Sequence, residues 1–61
     1  MKWIVELELG VYLADGEGDP ARTMLPELAK QFVSHKKAMY AKMNARIYRP
    51  FEFARIRTYP L

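Results

Sequence analysis

The sequence predicts a small α+β domain of the ββαβ type, and three observations predict it. Residues 2–9 and 52–59 alternate apolar with polar side chains, as half-buried strands do. Residues 35–48 have a helical pattern with a side of alanines, framed by the N-cap residue Ser34 and by Pro50. A glycine ends the first alternating stretch, which indicates a hairpin. We expect a three-stranded antiparallel sheet of order 2-1-3, the helix on one face and a short helical turn before it.

Length and composition exclude several classes of protein. The chain has 61 residues, which we expect to form a single domain with a thin core, no cysteine, and a net charge of +3. Without cysteine there is no disulfide scaffold, thiolate zinc site or cysteine nucleophile. The first apolar run is broken by Glu6 and Glu8, unlike a signal peptide, and no run approaches the ~20 residues of a membrane span. We therefore expect a soluble cytoplasmic protein.

The first predicted strand, residues 2–9, places four apolar residues on one face, Trp3, Val5, Leu7 and Leu9, and Lys2, Ile4, Glu6 and Glu8 on the other. Gly10 ends this run, so we expect Leu9 and Gly10 in a tight turn, and residues 11–14 form the second predicted strand.

Residues 15–22 form a predicted loop, because they contain two glycines, a proline and three acids. The alternating acids suggest the start of a calcium loop, which needs a glycine and a closing glutamate further on. Pro20 and Pro26 occupy those two positions. The sequence therefore predicts a solvated acidic loop and no metal site.

A short helix is predicted over residues 25–31, with Pro26 in its first turn and Leu25, Leu28 and Phe32 as its anchors.

The main helix, residues 35–48, carries two apolar stripes instead of the usual one. At 3.6 residues per turn, the first stripe consists of three alanines and a tyrosine, and the second of large residues only. The members are Ala38, Ala41, Ala45 and Tyr48 on the first stripe, and Met39, Tyr40, Met43 and Ile47 on the second. We expect the alanines to lie on the sheet. Three alternatives remain for what packs on the second stripe: residues 25–32, a second copy of the chain, or another protein.

The third predicted strand, residues 52–59, places Ala54 and Ile56 under the helix. The opposite face of the sheet then carries a stripe of arginines and aromatics, Phe53, Arg55, Arg57 and Tyr59.

The two halves of the chain differ in charge. Residues 1–30 have three cations and six acids, a net charge of −3, and residues 31–61 have seven cations and one acid, a net charge of +6. This asymmetry is typical either of a protein that meets a polyanion or of an acidic strand and loop beside a basic helix.

Catalysis has little support. The single histidine, His35, lies at the start of a helix beside two lysines, with no serine and acid at triad spacing. Glu6 and Glu8 share a strand face, where such pairs are usually solvated. The glycines of the loop lie among acids that would repel a phosphate. We expect no enzyme activity, no cofactor and no small-molecule substrate.

Two binding functions remain. The first is a protein interface or a homodimer through the pliable residues Met39, Tyr40, Met43 and Ile47. The alternative is a nucleic-acid accessory protein that uses the arginine and aromatic stripe together with a basic helix, Lys36, Lys37, Lys42 and Arg46. Glu6 and Glu8 fall on the same sheet face as the arginines, so cross-strand ion pairs are the simpler account of those charges.

The chain also resembles small phage and prophage proteins, including those of bacterial genomes that carry prophages, for which no activity is assigned. The resembling residues cover most of the chain: Trp3, Val5, residues 10–13, Ala29, Phe32, Ser34, Ala38, residues 48–51, Ala54 and Ile56. The resemblance implies a bacterial accessory or host-interaction protein and assigns no role to any residue.

Overall fold

The computed structural model describes residues 1–18, 20–48 and 51–61, and the side chains of residues 46–48 lie outside the description. Four strands form one antiparallel sheet in the order β3-β2-β1-β4. The elements, in chain order, are β1 (Lys2–Glu8), β2 (Val11–Leu13), β3 (Arg22–Thr23), a short 3-10 helix (Pro26–Leu28), α1 (His35–Tyr48) and β4 (Arg55–Tyr59). The predicted α+β class is confirmed. The predicted count of three strands is wrong.

β1 lies inside the sheet, between β2 and β4. It pairs with β4 from Lys2 opposite Tyr59 to Glu6 opposite Arg55, and on its other side Glu6 lies opposite Tyr12 of β2. A two-residue turn at Leu9 and Gly10 joins β1 to β2. Gly10 has a φ of +78°, a conformation that glycine adopts without steric strain, which explains the glycine in this turn.

The strand that was not predicted is β3, which lies at the end of the predicted acidic loop. Tyr12 pairs with Thr23 and Leu13 with Arg22, and the Ala14 amide donates to the Ala21 carbonyl at 2.8 Å. Asp15 and Glu17 therefore lie in the connection of a β2–β3 hairpin. A strand of two residues has no alternation, so the sequence pattern gave no sign of it.

A short helical turn does precede α1, as predicted, but it is a 3-10 helix that covers Pro26–Leu28 instead of residues 25–31. The chain then runs extended beside the sheet, where Ala29 bridges to Ala14 and Phe32 to Trp3. Trp3 and Phe32 exchange two backbone hydrogen bonds, of 2.9 and 2.7 Å. Of the three predicted anchors only Phe32 is buried; Leu25 and Leu28 are exposed.

α1 begins where the sequence places it. The Lys37 amide donates to Ser34 Oγ at 3.2 Å, so Ser34 is the N-cap. The alanine stripe faces the sheet: Ala38 and Ala45 are 0 % and 4 % exposed, and Ala41 is half-buried. Tyr48, the last member of that stripe, has a side chain outside the description, as do Arg49 and Pro50 beyond it.

The interior between sheet and helix contains the alanines of α1, Ala54 and Ile56, as predicted, and also Phe51, which no predicted element included. Its members are Val5, Leu7, Leu13, Phe32, Ala38, Ala45 and Phe51, with Trp3, Ala41, Ala54 and Ile56 packed against them. Phe51 and Ala54 belong to a turn, closed by an Ala54 amide to Phe51 carbonyl bond of 3.1 Å. The third predicted strand therefore starts three residues late, at Arg55, and Phe51 points into the interior.

The face of the sheet opposite α1 has a smaller apolar cluster of its own. Ile4, Tyr12 and Ala29 are buried there, and Tyr59 packs against them. Within the described ranges, no helix is long and apolar enough to cross a membrane.

Candidate binding surfaces

The outward side of α1 carries large apolar side chains that nothing in the described part of the chain buries. Met39, Tyr40 and Met43 are 42 %, 57 % and 56 % exposed. Lys36, one turn before Tyr40, continues the same stripe and is also exposed. We call Lys36, Met39, Tyr40 and Met43 the outer helix face. Ile47, the fourth predicted interface residue, has a side chain outside the description.

One of the three predicted covers is wrong. Residues 29–32 run beside β1 and β2 instead of over the methionines, because Phe32 bridges to Trp3 of β1 and the Lys30 amide donates to the Leu13 carbonyl of β2. A second copy and another protein remain as occupants of the outer helix face.

Two of the predicted basic helix residues flank this face, beside Lys36 within it. Lys37 is exposed and Lys42 is half-buried, and the first turn of α1 contains no acid. The Arg46 side chain lies outside the description. His35 is exposed, and the edge of its ring meets Trp3 with centroids 6.4 Å apart.

A second surface lies on the open side of the sheet, centred on a buried carboxylate. Glu6 is 3 % exposed, and its Oε1 accepts from Arg55 Nε at 2.7 Å and from Arg57 Nη1 at 3.2 Å. Residues facing each other on neighbouring antiparallel strands share a sheet face, which places Arg55 directly beside Glu6. We call these three residues the arginine cluster. The predicted cross-strand ion pairing is confirmed for Glu6, whereas Glu8 is exposed at the end of β1.

The arginine cluster keeps Glu6 ionised. Burial raises the pKa of Glu6, but the hydrogen bonds from Arg55 and Arg57, with the Gly10 amide, outweigh burial and hold the pKa below its usual value of 4.5. The cluster thus has two cations and one anion, a net charge of +1 at neutral pH.

The predicted arginine and aromatic stripe does not lie on a single strand. Arg55, Arg57 and Tyr59 lie on β4, and Tyr59 is half-buried against Ile4 and Tyr12. Phe53 lies in the preceding turn and is exposed. Phe53 and Arg55 nevertheless line one shallow depression, together with Glu6 and Leu9. Leu9, which strand alternation predicts on the same face as Leu7, is instead 88 % exposed beside this depression. Its place in the hairpin turn explains the exposure.

One acid of the acidic loop forms an ion pair with a lysine outside the loop. Asp15 Oδ1 lies 3.4 Å from Lys30 Nζ, and Asp19 falls outside the described residues. A cavity of about 390 Å³ lies between the loop and α1; alanines, glycines and Pro20 form most of its described lining, in which Lys30 is the one cation. The described residues contain no group of three or more histidines or acids that could hold a metal ion.

Comparison of the chain with protein-family models, with curated proteins and with solved structures finds no match. The functional assignment therefore rests on the outer helix face and the arginine cluster.

Proposed function

We propose that this chain is a small non-enzymatic binding module that recognises a protein through the outer helix face. The observation that carries the proposal is the orientation of α1. The helix packs alanines against the sheet and points Met39, Tyr40 and Met43 into solvent.

This orientation matters energetically. Burying one large apolar side chain stabilises a fold by roughly 1.5–3 kcal/mol, far more than burying an alanine. A 61-residue chain has few such side chains to use. Large apolar groups held outward on a helix are therefore available to a partner. Methionine suits that role because its unbranched thioether adapts to irregular surfaces, and tyrosine combines an apolar ring with a polar tip.

The groups most suited to chemistry already have other roles. The Glu6 carboxylate accepts from two arginines, and His35 lies exposed beside lysines with its ring against Trp3. These contacts support a binding role over a catalytic one.

We also propose where this protein acts and what kind of partner it binds. The absence of cysteine and the resemblance to small phage and prophage proteins favour the bacterial cytoplasm, with a host protein as the partner. A homodimer is the other form of the same proposal, since a second copy also presents apolar side chains.

A photo-crosslinking amino acid at position 40 tests the proposal in the native host. Tyr40 is more than half exposed on the outer helix face, so its substitution leaves the interior unchanged. We expect a crosslinked species containing one defined protein, or a product of twice the chain mass for a homodimer. The matched control places the same group at Met24, which is exposed away from α1. Equal crosslinking from both positions, or none from position 40, contradicts the proposal.

Nucleic-acid binding is the second candidate, favoured by the depression that Phe53 and Arg55 share. An exposed aromatic beside a guanidinium group can stack a base and contact a phosphate. Glu6 reduces the charge available there, and Tyr59 is packed against the sheet. Binding of labelled single-stranded RNA that weakens with salt, and is lost in Arg55→Ala/Arg57→Ala but kept in Met39→Gln/Met43→Gln, would establish this candidate instead.

A further inference from the structure

We infer that the outer helix face binds an acidic amphipathic helix of another protein, and not a second copy of this chain. The inference rests on the proposed function and names the partner's chemistry.

The first step is the charge of α1. The helix His35–Tyr48 contains three lysines, one arginine and no acid. Lys36 lies on the outer helix face itself, and the helical spacing puts Lys37 on the Tyr40 side of that face and Lys42 on the Met39 side. Cations therefore lie on both sides of the apolar residues Met39, Tyr40 and Met43. A partner that covers the methionines also meets these lysines.

The second step argues against a second copy that presents its own outer helix face or its acidic loop. Helices that pack side by side lie about 8–10 Å apart, which is comparable to the screening length of about 8 Å in physiological salt, so charges across the contact still interact. Two outer helix faces in contact would place lysines against lysines with no acid on either helix to pair with them. The acidic loop of a second copy, residues 15–19, contains no large apolar side chain to cover the methionines.

The third step is shape. α1 has 14 residues, which at 1.5 Å per residue gives a helix of about 21 Å. Met39 and Met43 lie one turn apart, a spacing that accepts apolar residues at i, i+3 or i+4, and i+7 of a partner helix. The outer helix face of so short a helix buries a small area, so we expect a weak and reversible complex. Flexible methionines make the surface tolerant of shape, and the lysines then select the partner by charge.

Selection from an unbiased library tests the inference. Helical 14-residue peptides with randomised positions are displayed and selected on the folded full chain. We expect the enriched peptides to carry aspartate or glutamate beside an apolar i, i+3, i+4, i+7 stripe. Their affinity should fall roughly three- to tenfold in Lys36→Glu and with rising salt, as expected for exposed ion pairs. It should fall further in Met39→Gln/Met43→Gln.

Lys2→Glu is the matched control, because Lys2 is exposed on β1, away from α1. Denaturation followed by Trp3 fluorescence shows that each variant is folded. Enriched peptides that are neutral or basic, or that bind Lys36→Glu as tightly as the parent chain, overturn the inference. So does dimerisation of the chain that Lys36→Glu strengthens, or binding to vesicles of anionic phospholipid without any peptide being selected.

The two proposals fail in different ways. If position 40 crosslinks to a protein but the selected peptides carry no acids, the binding function stands and the acidic partner is wrong. If neither a crosslink nor a peptide is found, both are wrong.

Discussion

The inner and outer faces of α1 differ in the size and in the burial of their apolar side chains. The inner face buries alanines, which bring the helix backbone close to Val5 and Leu7 of the central strand. The outer helix face has methionines and a tyrosine where a solvated helix has charges. The difference shows that side-chain size, and not polarity alone, decides which side of this helix meets the sheet. It also separates residues that maintain the fold from those available to a partner.

The largest expected effect comes from breaking the interior that the inner face covers. Leu7 is fully buried against the helix, so Leu7→Ala removes buried methyl groups and leaves a cavity. We expect a loss of about 2–5 kcal/mol in the free energy of unfolding, enough to unfold a domain of this size. Urea denaturation followed by Trp3 fluorescence measures it. Leu9→Ala makes the same change two residues away at an exposed position, and it should alter stability by less than about 0.5 kcal/mol.

A smaller effect is expected at Glu6, which lies on the sheet face opposite α1 and so changes stability without changing either helix face. Glu6→Gln removes the charge that two arginines contact, with an expected loss of roughly 1–2 kcal/mol at neutral pH. Because the pKa of Glu6 is lower in the folded chain, the unfolded chain binds the proton first as the pH falls. The contribution of Glu6 is therefore complete above its ordinary pKa and is lost as the pH falls through the lowered pKa.

The stability difference between parent and Glu6→Gln should accordingly shrink on acidification, starting below about pH 4.5. Glu8→Gln, at an exposed position, provides the comparison and should be close to neutral. A difference that stays constant from pH 7 to pH 3 would show that the carboxylate charge is not what the arginines stabilise.

The cap of α1 supports both helix faces equally. Ser34→Ala removes the acceptor for the Lys37 amide, and we expect a loss of about 1 kcal/mol in the free energy of unfolding. Ser34→Asp keeps an acceptor at that position and should retain most of the stability. Equal losses in the two variants would mean that the hydrogen bond is not the source of the effect.

The smallest effect on stability is expected at the outer helix face. Met39→Gln/Met43→Gln keeps the helix propensity and changes only exposed side chains, so the free energy of unfolding should shift by no more than about 0.5 kcal/mol. Crosslinking from position 40 should nevertheless be lost. A loss of stability comparable to that of Leu7→Ala would place the methionines in the core and remove the contrast between the two faces.

The parts of the fold that were predictable have long, local signals. α1 combines a cap, fourteen residues of helical spacing and a terminating proline, and β1 has seven residues of clear alternation. β3 has only two residues and is held by pairing with Tyr12 and Leu13, which no local pattern records. The extended stretch after the 3-10 helix is held by backbone bonds to Trp3, which side-chain patterns do not show either.

The candidate surfaces were predictable to different degrees. Met39, Tyr40 and Met43 follow from helical spacing alone, because an inward alanine stripe places them outward. The contact of Glu6 with Arg55 followed from alternation, but its burial depends on the strand register between residues 49 apart in the sequence. Phe53 was misplaced because alternation was extended through a turn that contains neither glycine nor asparagine.

The position of β1 between β2 and β4 has a consequence for how the chain folds. Lys2 pairs with Tyr59, which is far away in the sequence, so the β1–β4 ladder is a long-range contact and closes slowly compared with the β1–β2 hairpin. Until β4 pairs, one edge of β1 has no neighbour. A folding intermediate that contains only β1, β2 and β3 therefore exposes an unpaired strand edge, and rapid closure by β4 protects it from aggregation.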